Sequence, residues 1–263
     1  MLFRSLAAES GVTRALVAGL DEAGWHLATP AAGWDIADQI SHLAYFDEVT
    51  LQSAVAPEEF LAALADYQAA GGVAPDEVAA RFRDRTGDQL LAWFDTARAQ
   101  LIDTFSGLDP AVRLPWFGPA MSAASSLTAR IMETWAHTQD IADALGVSRE
   151  PTGRLRHVAH IGVGARAYSF AVNGKPAPSA PVRVELIPPS APAGVRWTWG
   201  PDDAPDRVTG PALDFCLLVT QRRHSVDVDL KVEGPAAQEW MAIAQAFAGT
   251  AGTGRPPRRS ADD

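Results

Sequence analysis

The chain is poor in cysteine, in long apolar runs and in positive charge. Cys216 is the single cysteine among 263 residues, which excludes an internal disulfide and a zinc site built on several thiolates. No apolar run approaches the roughly 18 residues needed to span a bilayer, and the N-terminus lacks the basic and then apolar order of a secretion signal. These features favour a reducing, cytoplasmic compartment and no membrane partner.

Acidic residues outnumber basic ones. Twenty-two Lys and Arg against 32 Asp and Glu give a formal net charge of -10 and a pI near 5.0. Such a surface repels phosphate backbones, so nucleic acid is not expected as a partner. The overall composition, 47% hydrophobic and 21% charged, is typical of a soluble globular protein. The length predicts two domains, and we expect a monomer or a homodimer.

Residues 1–146 predict a helical bundle. Apolar residues recur there at helical spacing, as in Ile36, Ile40, Leu43 and Phe46, and strand-like alternation is absent. Breaks coincide with Pro and Gly clusters, which lie at residues 29–33, 70–75 and 107–119. Long helical segments separated by short breaks predict antiparallel neighbours in a bundle.

Residues 153–248 predict a smaller α+β domain. One helix is expected over residues 154–172, and alternating apolar and polar residues predict strands at 182–187, 195–199 and 226–232. Gly-Pro pairs at 210–211 and 234–235 indicate that two further helices begin there, since proline suits a first helical turn. Residues 249–263 combine Gly, Pro and like charges without an apolar anchor, and they predict a disordered tail.

Two helices of the first domain carry residues with the chemistry of a metal site. Glu133 and His137 are four residues apart and share a helix face at about 5 to 6 Å, with Asp140 on the same face. His42 shares a face of an earlier helix with Asp38. Together His42, Glu133 and His137 form a His₂Glu set that leaves a fourth position open, as catalytic zinc sites do. Asp38 and Asp140 would then accept ring N–H groups and fix each tautomer.

The spacing alone leaves plainer interpretations open. A Glu and a His four apart on a helix commonly form a surface pair, and a lone histidine such as His42 is commonly a half-buried packing residue. His157 and His160 form a rival imidazole pair without an adjacent carboxylate, and we interpret them as packing residues.

The segment GWDIADQISHL at residues 33–43, followed by Glu133, His137 and Asp140 at the end of the bundle, resembles the DinB-like, mycothiol-dependent maleylpyruvate isomerase superfamily. The second domain is also similar, in VTGPALDFCLLVTQR at residues 208–222. The resemblance covers about residues 1–248. The segments at residues 221–224 and 239–247 look closest to an actinobacterial branch described only as metal-binding proteins.

The resemblance implies that His42, Glu133 and His137 hold a divalent metal, usually zinc. It also implies a metal-bound small thiol, commonly mycothiol, that attacks an electrophilic carbon. The protein would then be a thiol transferase or isomerase acting on a small molecule. In the superfamily, the second-domain helix ends in an apolar residue followed by Trp, Gly and Arg. The corresponding residues here are Val219-Thr220-Gln221-Arg222, so only the arginine matches. The identities of the substrate and of the thiol therefore stay open.

The same resemblance points to Arg222 as a catalytic residue, facing the metal from the second domain, with Arg223 and His224 beside it as candidate cofactor-binding residues. The helix dipole also favours cations at the C-terminal end of a helix. A purely structural role for Arg222 and Arg223 is therefore the alternative to a functional one. Two other functions stay open. One is a hydrolase or lyase that uses metal-bound water, with Asp140 assisting proton transfer. The other is a non-catalytic metal-binding or ligand-sensing protein.

Overall fold

The computed structural model describes residues 2–69, 71 and 75–258. Contacts divide the chain into two compact units, Met1–Arg149 and Glu150–Asp263. We call them the helical unit and the α+β unit. This combination of a helical N-terminal part with a small C-terminal sheet domain confirms the predicted fold class.

The helical unit is built from four long helices and several short elements. In chain order its elements are α1 (Leu2–Val17), α2 (Glu22–Trp25), α3 (Ile36–Val55), α4 (Pro57–Ala69), α5 (Pro75–Ala80), α6 (Gly87–Ser106), β1 (Arg113–Leu114), β2 (Met121–Ser122) and α7 (Ala123–Ala144). Helices α1 and α3 each pack against both α6 and α7, which makes a four-helix bundle. The antiparallel pair β1 and β2 was not predicted, because two residues per strand are too few to show an alternation.

Caps set where the two site-bearing helices begin. The Asp35 side chain accepts a hydrogen bond from the Asp38 backbone N–H at 2.9 Å, and the Asp38 carboxylate accepts one from the Asp35 N–H at 3.3 Å. This capping box starts α3. Ser122 starts α7 in a simpler way, by accepting from the Ser125 N–H at 3.1 Å.

The bundle core follows the apolar stripes of the sequence. Ile36, Ile40 and Leu43 of α3 are fully buried, whereas Phe46 at the end of the same stripe is only half-buried. Two clusters of buried side chains fill the bundle, and their larger members are Val17, Trp25, Leu90, Phe94 and Ile141 in one and Leu6, Leu101, Phe105, Leu127 and Ile131 in the other.

A buried ion network links α3, α6 and α7. The Asp47 carboxylate, fully buried on α3, accepts from Arg98 Nε at 2.5 Å and from Arg130 Nε at 2.9 Å. Arg98 also donates to the Thr134 hydroxyl at 3.0 Å, and Arg130 donates to the Leu43 carbonyl at 3.1 Å. One carboxylate thus holds two buried guanidinium groups from α6 and α7.

The α+β unit is organised around a sheet with strand order β4-β3-β5-β6. Its elements are α8 (Leu155–Gly164), α9 (Arg166–Val172), β3 (Val182–Ile187), β4 (Trp197–Trp199), β5 (Asp206–Pro211), α10 (Ala212–Val219), a 3-10 turn (Ser225–Asp227), β6 (Lys231–Glu233) and α11 (Pro235–Ile243). Strands β3 and β5 are parallel, and the outer pairs are antiparallel. No helix among the described residues of either unit is long and apolar enough to cross a membrane.

Three expectations for this unit need correction. The helix expected over residues 154–172 is two helices, α8 and α9, separated at Ala165. Strand β5 was missed because its buried positions include Asp206, which accepts from the Ala237 N–H at 2.9 Å instead of packing as an apolar side chain. The strand expected at residues 226–232 is largely a 3-10 turn and loop, and only its last residues belong to β6. The backbone N–H of Asp229 donates to the Asp214 carboxylate at 2.7 Å instead of to a neighbouring strand.

The segment that follows the last helix contacts the α+β unit. Residues 249–258 have no regular secondary structure. Their backbone forms hydrogen bonds with the side chains of Tyr168, Gln245 and Gln221. The rest of the predicted tail, residues 259–263, lies outside the described residues.

Candidate functional site

Helices α3 and α7 bring His42, Glu133 and His137 together. Glu133 Oε2 lies 3.3 Å from His137 Nε2 and 3.7 Å from His42 Nε2, and the two imidazole centroids are 4.4 Å apart. One potential ligand atom from each residue lies within 4.8 Å of the other two. His137 is buried, while His42 and Glu133 are half-buried. Two ring nitrogens and one carboxylate oxygen therefore face a common point.

The protonation states of these residues suit a cation. Burial lowers the pKa of His42 to about 4, and the charge of His137 acts in the same direction. Burial alone would raise the pKa of Glu133, but its interactions with His137 and His42 hold that pKa well below its usual range. At neutral pH His42 is therefore neutral and Glu133 is ionised, as metal ligands must be.

A hydrogen-bond chain through Gln39 orients His137. Gln39 Nε2 donates to the Thr29 hydroxyl at 2.9 Å, and that hydroxyl donates to the Trp34 carbonyl at 2.9 Å. The amide oxygen of Gln39 must then face His137 Nδ1, from which it accepts at 2.5 Å. Since an amide oxygen only accepts, Nδ1 carries a ring proton, and Nε2 is the ring nitrogen that faces Glu133.

This arrangement fits a bound metal. Without a proton or a cation between them, His137 Nε2 and the Glu133 carboxylate would be two acceptors facing each other at 3.3 Å. The buried Nδ1 of His42 has no hydrogen-bond partner in the described part of the chain, so its tautomer is left to whatever binds at Nε2. Two imidazoles and a carboxylate are a donor set of catalytic zinc sites.

Asp38 and Asp140 do not orient the histidines as expected. Asp38 accepts from Arg83 at 2.8 and 3.0 Å and from the Asp35 backbone, so its place in the capping box turns it away from His42 Nδ1. Asp140 is buried one turn beyond His137, but the ring N–H of His137 goes to Gln39. Gln39 lies within the segment at residues 33–43 and is a polar residue on an otherwise apolar helix face. That position was the sequence feature that could have indicated its role.

Arg222, Arg223 and His224 follow α10 in the α+β unit and are half-buried. Arg222 Nη1 donates to the Thr220 carbonyl at 2.6 Å, and Arg223 Nη1 donates to the Arg222 carbonyl at 2.6 Å. His224 Nδ1 accepts from the Val226 N–H at 3.2 Å and caps the 3-10 turn. Their roles toward the metal and the cofactor stay predictions.

Cys216 offers no nucleophile. The thiol is fully buried on α10, and burial raises its pKa well above the usual range. A protonated, inaccessible thiol neither attacks nor ligates. A reaction that uses a thiolate therefore needs a thiol from outside the chain.

The helical unit of the chain matches a known protein family. Residues 6–142, which span all three residues of the site, match the family model described as the mycothiol maleylpyruvate isomerase N-terminal domain. The chain belongs to this mycothiol maleylpyruvate isomerase family. The predicted superfamily is thereby confirmed. Residues 189–231 separately match a model described as wyosine base formation.

Full-length relatives and solved structures extend the family match. The "Uncharacterized protein MT0041" and "Uncharacterized protein Rv0036c" of two Mycobacterium tuberculosis strains are each 48% identical over 251 residues, covering 95% of this chain and 96% of the relative. A crystal structure of the mycothiol-dependent maleylpyruvate isomerase has a TM-score of 0.57 at 17% identity, covering 89% of this chain and 94% of its own. A histidine-to-alanine mutant of that enzyme gives a TM-score of 0.56 at 16% identity, with the same coverage. The family thus shares its fold over both units.

Proposed function

We propose that this member of the mycothiol maleylpyruvate isomerase family is a zinc-dependent enzyme that uses a small thiol, mycothiol or a similar one. It would transfer the thiol to a small electrophile or isomerise that electrophile. The observation that carries the proposal is the convergence of His42 Nε2, His137 Nε2 and Glu133 Oε2, with the His137 tautomer set by Gln39. The family itself supports thiol chemistry.

The protein's contribution is to hold three ligands and leave room for a fourth. Bound zinc would keep the sulfur of an incoming thiol ionised at neutral pH, and the thiolate is the nucleophilic form. Glu133 contributes the single negative charge of the set, and the neutral imidazoles contribute lone pairs. We place the reaction in the cytoplasm, where reducing conditions keep small thiols available.

Arg222 is our candidate for the charge that develops on the electrophile. Addition of a thiolate to an unsaturated acid or a carbonyl compound builds negative charge on an oxygen, and a guanidinium stabilises that charge or binds a carboxylate. Arg223 and His224, next to it in the chain, are candidates to contact the thiol. Asp140 remains a candidate proton carrier, and the water-dependent hydrolase remains the alternative for the same ligand set.

Thiol binding that depends on the metal tests the proposal. Calorimetry with mycothiol should show micromolar to millimolar binding to the zinc-loaded protein and no binding to the stripped protein, because the bond between the sulfur and the metal would supply most of the affinity. The Cys216→Ala variant should bind the thiol as the wild type does. Absence of thiol binding to the zinc-loaded protein would favour the water-dependent alternative.

A further inference from the structure

Aromatic side chains continue outward from the candidate metal site along the helical unit. Phe46 lies one turn after His42 on α3, and its ring centroid is 4.6 Å from the His42 imidazole. Phe117 follows at 6.3 Å from Phe46, in an edge arrangement. We call the set that these two rings begin the aromatic wall; its members are Phe46, Phe60, Tyr67, Trp116 and Phe117.

Two separate chain segments build the outer part of the aromatic wall. Phe60 and Tyr67 stand on α4, seven residues apart and so on one helix face. Trp116 and Phe117 come from the loop between β1 and β2. Trp116 stacks on Phe60 at 6.1 Å and 7°, while Phe117 meets Phe60 and Tyr67 edge-on at 5.7 and 5.5 Å. These contacts hold the ring of Phe117 in place before any ligand binds.

The aromatic wall is not a closed core. Of its members only Phe60, 3% exposed, is buried, and the other four are half-buried. A contiguous apolar surface left partly open beside a polar site is a feature of ligand-binding grooves. The incomplete burial of Phe46, at the end of an otherwise fully buried stripe on α3, is explained if its ring faces a ligand.

Two cations of this unit, Arg130 and Arg83, are held by buried carboxylates. Arg130, whose charge acts on His42, is held by Asp47, and Arg83 is held by Asp38. The faces of aromatic rings carry partial negative charge, and burying an anion against them costs desolvation without compensation. A second ring or another flat apolar group gains both buried area and offset or edge contacts.

We propose that the aromatic wall binds an aromatic or extended apolar part of the electrophilic substrate, next to the metal. The substrate class is then an electrophile that bears an aromatic or extended apolar group. This inference deepens the proposed function and rests on it, because the bound molecule is a substrate only if the protein is an enzyme. Binding of an aromatic ring at the aromatic wall does not itself require the metal.

The first arm of the test uses 1-naphthol, an aromatic probe without a metal-binding thiol, and the full-length, zinc-stripped protein. Wild-type protein should bind it in calorimetry, and Phe117→Ala should weaken binding about tenfold, because stacking and apolar area are lost. Phe117→Leu, which keeps most of the apolar volume, should also weaken binding. Phe82→Ala is the matched control, since Phe82 is half-buried in the same unit but contacts Tyr45 and Trp93.

The second arm links the aromatic wall to the metal. On zinc-loaded protein, benzyl mercaptan should bind about tenfold more tightly than 3-mercaptopropionate, and Phe117→Ala should remove most of that preference. Failure of 1-naphthol to bind, or equal weakening by Phe82→Ala and Phe117→Ala, would overturn the aromatic-wall proposal whatever the zinc experiments show. If 1-naphthol binds as expected and neither thiol binds the zinc-loaded protein, the proposed function fails and the ring site stands.

Discussion

Replacing His42, Glu133 or His137 by alanine is expected to lower the bound zinc from about one ion per chain to near none. Each residue supplies one of three converging atoms, and two remaining ligands cannot hold zinc against a chelator. Elemental analysis of the purified variants after dialysis measures this directly. Circular dichroism on the same samples checks that the helices persist.

Two further variants serve as comparisons for the alanine variants of the three ligands. His157→Ala should keep its zinc, because this histidine belongs to the α+β unit and not to the three-residue set. Gln39→Ala should lower zinc affinity by about 10- to 100-fold without abolishing it, because it removes the acceptor that fixes the His137 tautomer. Stoichiometric zinc in both His42→Ala and His137→Ala would contradict the ligand assignment.

Asp47→Asn should lower the free energy of unfolding by about 3 to 5 kcal/mol. The change removes the carboxylate that neutralises Arg98 and Arg130 and leaves two buried guanidinium groups without an anion between them. Urea unfolding of the zinc-stripped protein measures the loss without a contribution from metal binding.

Asp95→Asn is the matched control for this variant. Asp95 forms an ion pair with Arg14 at 3.0 Å, but the side chains of Asp95 and Arg14 are 41% and 55% exposed to solvent. Exposed pairs contribute about 0 to 1 kcal/mol, so this variant should unfold almost as the wild type does. Equal stability of the Asp47→Asn and Asp95→Asn proteins would show that the buried network does not hold the bundle together.

Local patterns were sufficient to predict the helical bundle and the helix face that Glu133 and His137 share, whereas the grouping of these two residues with His42 as a metal set came from the family resemblance. The apolar stripe of Ile36, Ile40 and Leu43 predicted the buried face of α3, and the spacing of Glu133 and His137 placed both side chains on one face of α7. Both features depend on the 3.6-residue period of a single helix, which a sequence shows directly.

Features that depend on distant partners could not be predicted. The role of Gln39 requires His137, 98 residues away, and Thr29 in a separate loop. Asp38 was misjudged because its partner, Arg83, is 45 residues distant. Strand β5 was not predicted because the buried Asp206 interrupts the alternation of apolar and polar residues in the sequence. Burial of the Asp206 carboxylate requires a hydrogen-bond donor, which the start of α11 provides.

Native mass spectrometry of the full-length protein tests the central claim most directly. Wild-type protein should show the mass of the chain plus one zinc ion and, after addition of mycothiol, a further species that carries one thiol. The thiol species should be absent from zinc-stripped protein and from His137→Ala, and it should dissociate on denaturation. A thiol adduct that forms equally without zinc, or that survives denaturation as a disulfide at Cys216, would contradict the account.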